Sequence, residues 1–137
     1  MKILSWNVAG IRAVVRKNAL DFALKGEYDA ICFQETKAEQ IQVKNIDELK
    51  KIYPYQLWNH SKARKGYSGT AIWSKIPFVN ELNYPEFDNE GRITTVEYDT
   101  FYLITVNINK KLLNKNFRNL KSIKTGKTTQ GTSFCLS

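Results

Sequence analysis

From Lys2 to Val8 the chain alternates, with Ile3, Ser5 and Asn7 set against Leu4, Trp6 and Val8, the period of two that suits a strand. Over residues 12–25 the period changes. Ala19, Phe22 and Ala23, and then Leu20 and Leu24, recur at helical spacing and predict a helix that Gly26 stops. Asp29–Gln34 (DAICFQ) is a short apolar run that ends at Glu35 and predicts a second strand. Asn45 is placed to cap a short helix over 46–52, with Pro54 just beyond it. Further strands are predicted over 55–59, 69–74, 93–98 and 101–106, and Asp99-Thr100 between the last two reads as a tight hairpin. The order is strand, helix, strand, helix and four strands, which indicates a layered α/β domain with a mixed sheet and flanking helices. No internal repeat is visible.

The pattern stops after Val106. The segment NINKKLLNKNFRNLKSIKTGKTTQGTSFCLS is rich in Asn, Lys, Ser and Thr. Leu112, Leu113, Phe117 and Leu120 allow one weak amphipathic helix, and from Thr125 onward the composition predicts disorder. Two regions are therefore expected, 1–106 as the folded part and 107–137 as a basic tail.

Length and composition bound the rest. The chain has 137 residues, 42% of them apolar, which suits one small domain with a real core. The net charge of +8 invites a nucleic-acid partner, but its distribution changes that picture. Residues 1–106 hold 14 basic and 13 acidic side chains, whereas 107–137 hold 7 basic and none acidic, so the excess belongs to the tail. No apolar run approaches a membrane span, and MKILSWNVAGIR reads as a strand rather than a targeting segment. Cys32 and Cys135 make no disulfide framework, and Cys32 reads as a small buried side chain. A cytoplasmic protein with no membrane partner is the expectation.

A few polar residues stand where chemistry is possible. Asn7 ends a strand just before Ala9-Gly10, where it either points into a cleft at the sheet's edge or simply forms the turn. Glu35 ends an apolar strand, a position that suits a hard cation wanting oxygen ligands, though pairing with Lys37 is the plainer use. Lys65-Gly66-Tyr67-Ser68-Gly69 is a glycine-bracketed loop able to approach a phosphate backbone closely, or an ordinary turn. Glu90-Gly91-Arg92 precedes a strand and leaves Arg92 to reach a phosphate or to pair with Glu90 in solvent. His60, the single histidine, has no identifiable Ser or Cys partner and is given no catalytic role.

Order and spacing give these residues more weight together. LSWNVAGIRA, then FQETK, then GYSG, then EGR before a β-run resemble the exonuclease III/AP-endonuclease family of DNase I-like phosphoesterases over residues 1–106. The resemblance implies an incomplete DNase I-like α/β sandwich, with 1–106 forming one of its sheets. It implies that Asn7 matches the family's active-site asparagine, Glu35 its metal-binding glutamate and Lys37 the lysine that supports the site. Arg12, Tyr67, Ser68 and Arg92 match positions near the DNA backbone, and Lys65 joins them as the cation of the same loop. The activity implied is Mg²⁺-dependent phosphodiester hydrolysis in duplex DNA, with Mn²⁺ as an alternative ion, as an AP endonuclease cutting 5′ to an abasic site or as a 3'-5' exodeoxyribonuclease, by a chain that is a monomer if it folds alone.

The chain also departs from the family. Ala9 stands where Asp or Asn is usual, and Val106-Asn107-Ile108-Asn109 replaces an aromatic followed by a Pro-Asn turn. The active-site tyrosine, the GD-x-N strand and the S-D-H motif are absent, and the tail, without Asp, Glu, Tyr or His, supplies no substitute. The expectation is a nuclease by descent that is inactive as this chain. A non-catalytic DNA-binding fragment is one alternative, and a phosphoesterase of the same fold with a small or lipid substrate is another.

Overall fold

The computed structural model describes residues 1–82 and 84–108, together with the backbone of 133–136. Alternation at the N-terminus produces β1 (Ile3–Asn7), which runs parallel to β2 (Ala30–Gln34) with Asn7 opposite Gln34. Between them lies α1 (Ile11–Arg16). After β2 come α2 (Asp47–Ile52), β3 (Tyr55–Asn59) and β4 (Thr70–Ser74). These strands form a sheet in the order β1-β2-β4-β3, mixed because β4 is antiparallel to both its neighbours. A second sheet, in the order β5-β6-β7-β8, holds β5 (Asn80–Leu82), β6 (Ile93–Glu97), β7 (Tyr102–Asn107) and β8 (Ser133–Leu136).

The sheets face each other, with β1 over β8, β2 over β7, and β4 over both β6 and β7. All five residues of β2 and all five of β4 are buried, because helices cover one face of the first sheet and the second sheet covers the other. Ile31, Phe33, Ala71 and Trp73 pack with Ile11, Val14, Leu20 and Leu49 on the helical side. Ala30, Cys32 and Ile72 pack with Val96, Tyr98 and Leu103 between the sheets. Toward the end of the sandwich near Asn7 this inter-sheet layer turns polar. Gln34 Nε2 donates to Thr105 Oγ1 at 2.7 Å, and the Thr70 and Thr94 hydroxyls pair at 2.7 Å.

The fold is a DNase I-like α/β sandwich, but it differs from the sequence pattern in several places. Residues 1–106 supply strands to two sheets rather than one. The helix predicted over 12–25 is broken: α1 ends at Arg16, Asn18 takes a φ of 53°, and Asp21–Lys25 forms a short 3-10 helix. Gly26 does end this segment in the left-handed region, at φ 62°. Asn45 does not cap α2. It sits at φ 60°, and Ile46, which has no side-chain cap bond, holds the capping position. The Asp99-Thr100 hairpin forms, closed by Tyr98 N–H donating to the Phe101 carbonyl at 2.8 Å. Two strands go beyond the pattern: β5, three residues too short to show a period, and β8, a four-residue strand inside the stretch 125–137 that composition marks as disordered. β8 pairs with the free edge of β7, with Ser133 opposite Asn107, which satisfies backbone groups that an edge strand leaves open. The weak helix suggested for 112–120 lies outside the described residues.

Candidate metal and phosphodiester site

Because β1 and β2 are parallel neighbours in register, both end at the same edge of the sheet. Loops leave their carboxyl ends there, a common place for ligands in α/β sheets. The two loops are stitched together by backbone bonds from Val8 N–H to Gln34 O (3.0 Å), Gly10 N–H to Glu35 O (2.8 Å) and Ile11 N–H to Thr36 O (3.0 Å). The route between these bonds holds Ala9, Glu35 and Lys37 at φ 47°, 53° and 51°. Such left-handed non-glycine backbone persists only where its surroundings over-determine it, and it concentrates at functional sites.

That backbone aims the side chains at one another. Asn7 Nδ2 donates to Glu35 Oε1 at 3.0 Å, and Asn7 Oδ1 accepts from Ala9 N–H at 3.1 Å. The amide is thus held at both ends. Lys37 Nζ lies 3.0 Å from Glu35 Oε2. The Asn7 hydrogen bond, the Lys37 ammonium and the Arg92 charge together hold the Glu35 carboxyl below its ordinary range, against a smaller push upward from burial. A carboxylate with a lowered pKa, one-third exposed at a strand end, is a suitable oxygen ligand for a hard cation.

A second loop closes on this one. Thr36 N–H donates to Gly69 O at 3.1 Å and Lys37 N–H to Ser68 O at 2.8 Å. Gly69 adopts φ 88°, and a Cβ there would fall 2.3 Å from Thr36 Oγ1, so the approach requires glycine. Tyr67 is half-buried, while Lys65 and Gly66 are exposed beside it. Arg12 is exposed on α1 and lines a groove of about 860 Å³ whose charged lining is Arg12, Arg16, Lys37 and Lys44, set among uncharged residues such as Ala13, Val15 and Asn45.

Arg92 differs from the expectation of a free side chain. It is only 9% exposed, with Nε donating to Glu90, Nη1 to the Asn107 carbonyl at 3.0 Å and Nη2 to the Tyr67 hydroxyl at 2.9 Å. The turn before it is shaped by Asp88, whose carboxylate accepts from Arg92 N–H, Ile93 N–H and Asn59 Nδ2. Asp88 and Asn107 are participants that sequence pattern passes over. Asp88 looks like one more loop acid, and Asn107 falls one residue beyond the apparent end of the fold. Among the described residues, no three His, Cys, Asp or Glu side chains cluster around a common point.

The fold and this strand end define a two-sheet α/β sandwich with an Asn–Glu–Lys cluster where β1 and β2 end. The sequence profile described as the Endonuclease/Exonuclease/phosphatase family matches residues 4–113, and the chain belongs to that family. Its relatives there are AP endonucleases and exodeoxyribonucleases. It is 39% identical over 125 residues to a Danio rerio protein named DNA repair nuclease APEX1, covering 86% of this chain and 40% of that one. It is 40% identical over 110 residues to an exodeoxyribonuclease of Bacillus subtilis, covering 77% and 42%. Among solved structures, a 3'-5' exonuclease from Neisseria meningitidis superposes with a TM-score of 0.60 at 21% identity over 76% of this chain and 40% of that chain. An AP endonuclease from Archaeoglobus fulgidus gives 0.59 at 23%, over 76% and 39%. The chain spans about two-fifths of the length of these proteins.

Proposed function

We propose that this chain carries the carboxylate half of a DNA-repair phosphodiesterase site, the one that cuts 5′ to an abasic site in duplex DNA with Mg²⁺ or Mn²⁺. The observation that carries the proposal is the Asn7–Glu35 hydrogen bond at the paired ends of β1 and β2, with Lys37 on the second carboxylate oxygen. The names of the relatives, which are DNA nucleases, support this over the small-molecule or lipid alternative.

The residues present fit a divalent ion in part. Glu35 offers one anionic oxygen, and a small hard ion that keeps most of its waters accepts so few protein ligands, although its retention is then weak. When bound, such an ion supplies charge stabilisation at the phosphate and the leaving oxygen. The chain's own groups do the rest of what is available here. Asn7 orients Glu35 and keeps it ionised. Lys37 balances that charge while no cation is bound. Arg12, Lys65 and Tyr67 are the groups open to the backbone of a duplex, whereas Ser68, expected beside them, is buried with its hydroxyl taken by Asn107 and braces the turn. Activation of the attacking water needs a further acid or base, and residues 107–137 contain no Asp, Glu or His. Cleavage by this chain is therefore weak or absent, while metal and duplex binding remain.

The test is paramagnetic broadening of backbone amide signals by Mn²⁺. Selective loss of the Asn7, Glu35 and Lys37 signals, competed by Mg²⁺ and absent in Glu35→Gln, is the expected result. Broadening confined to other acidic residues, or unchanged in that variant, refutes the metal assignment. Retention of the duplex without any such broadening favours the non-catalytic binder instead.

A further inference from the structure

Two side chains that a solvent-exposed turn and a basic tail would claim, Arg92 and Asn107, are instead buried and joined. Asn107 is 7% exposed and donates through Nδ2 to Ser68 Oγ at 3.0 Å. Its carbonyl accepts from Arg92 Nη1, and its N–H donates to the Arg92 carbonyl at 2.8 Å. Arg92 Nη2 donates in turn to Tyr67 Oη, and the guanidinium lies 5.5 Å from the centre of the Tyr67 ring. The pair thus holds two successive residues of the Lys65–Ser68 turn from the side of β6 and β7.

The geometry points to a clamp: Arg92 and Asn107 are positioning residues that preset the Lys65–Ser68 turn for a nucleic-acid phosphate, which Tyr67 and Lys65 then contact. This rests on the DNA-backbone role of the turn proposed above. Three observations carry it. Ser68 is held at φ 48°, a conformation that needs anchors, and its anchors are Lys37 N–H on its carbonyl and Asn107 on its hydroxyl. Arg92 spends Nε, Nη1 and Nη2 on protein oxygens and is buried, so it is poorly placed to read a phosphate itself. Tyr67 Oη accepts from Arg92, which leaves its own O–H free to donate outward to an anion. A turn ordered before binding does not have to be ordered by the ligand, so the clamp raises affinity without touching the phosphate.

Arg92→Lys separates the two roles, because a lysine keeps the charge and loses the planar fork. The experiment measures retention of a fluorescein-labelled abasic-site duplex against salt for the full chain, Arg92→Lys, Asn107→Ala, Ser68→Ala and Asn107→Ala/Ser68→Ala. Exchange of the Lys37 amide is followed by NMR in the same samples. Arg92→Lys and Asn107→Ala are each expected to weaken retention on the order of tenfold and to lower the salt slope by about one. A loss that came only from unfolding would leave the slope of the folded protein unchanged. The Lys37 amide should exchange faster in Asn107→Ala, and the double variant should be no weaker than that single one. Arg92→Lys binding like the wild type, or additive losses in the double variant, overturns the clamp. If the wild-type chain retains no duplex, the DNA-backbone role fails, and the Lys37 amide decides the clamp alone: faster exchange in Asn107→Ala supports it, and unchanged exchange overturns it. Should Asn107→Ala not fold, Ser68→Ala breaks the same bond from its accepting side with the loss of a single oxygen and takes its place.

Discussion

Glu35 shows how much one backbone conformation decides. At φ 53° its carboxylate turns back toward Asn7 and Lys37 instead of following the strand outward. Its folded carboxyl is depressed, with the Asn7 hydrogen bond as the largest cause. The stability it contributes is therefore present above the ordinary carboxylate value and is lost as pH falls through the lower folded value. An NMR titration of Glu35 in Asn7→Ala should move up toward the ordinary range, and an unmoved midpoint would show that Asn7 is not the cause. Gly69 makes a steric claim of the same kind. Gly69→Ala meets both a positive φ and the Thr36 hydroxyl, and should cost on the order of 2 kcal/mol or more in thermal unfolding. Stability equal to the wild type would mean that the two loops do not approach as described. Asn7 and Glu35 were legible because each ends a patterned strand and motif spacing links them. Arg92 was not, since its partner is a carbonyl 15 residues away and a charge beside a glycine carries no sign of burial.

At the scale of elements, strand residues were easier to read than helical ones. β2 and β4 are buried on both faces, so AICFQ and TAIWS read as continuous apolar runs, and the pattern located them within a residue or two. The 12–25 helix failed for a physical reason. Spacing of three and four fits a 3-10 turn as well as an α-helix over so short a span, and Asn18 tolerates the left-handed φ that breaks it. β5 and β8 exist through pairing with β6 and β7, which no local pattern of three or four residues announces. The hydrophobic layer under the helices turns on Trp73, fully buried and edge-on to Phe33 with ring centres 4.8 Å apart. Trp73→Ala should lose about 3–5 kcal/mol in denaturant unfolding. A loss below about 1 kcal/mol, within the range of surface substitutions, would contradict the packing.

Across the whole molecule, charge and chemistry are separated. Nearly all of the basic excess lies in 107–137, while Asn7, Glu35 and Lys37 meet at the ends of β1 and β2. The chain matches about two-fifths of its relatives' length and shares their fold over that part. The proposed function gives that part a surface for DNA and the Glu35 carboxylate for a metal, without further groups to activate water. Binding and cleavage should come apart. The direct measurement is incubation of an abasic-site duplex with the purified chain and Mg²⁺, scoring both retention and nicking, beside a Glu35→Ala control. Salt-sensitive retention with no nicking above that control is the predicted result. Robust nicking that Glu35→Ala abolishes would contradict the account, because it would mean that these 137 residues already assemble a complete site.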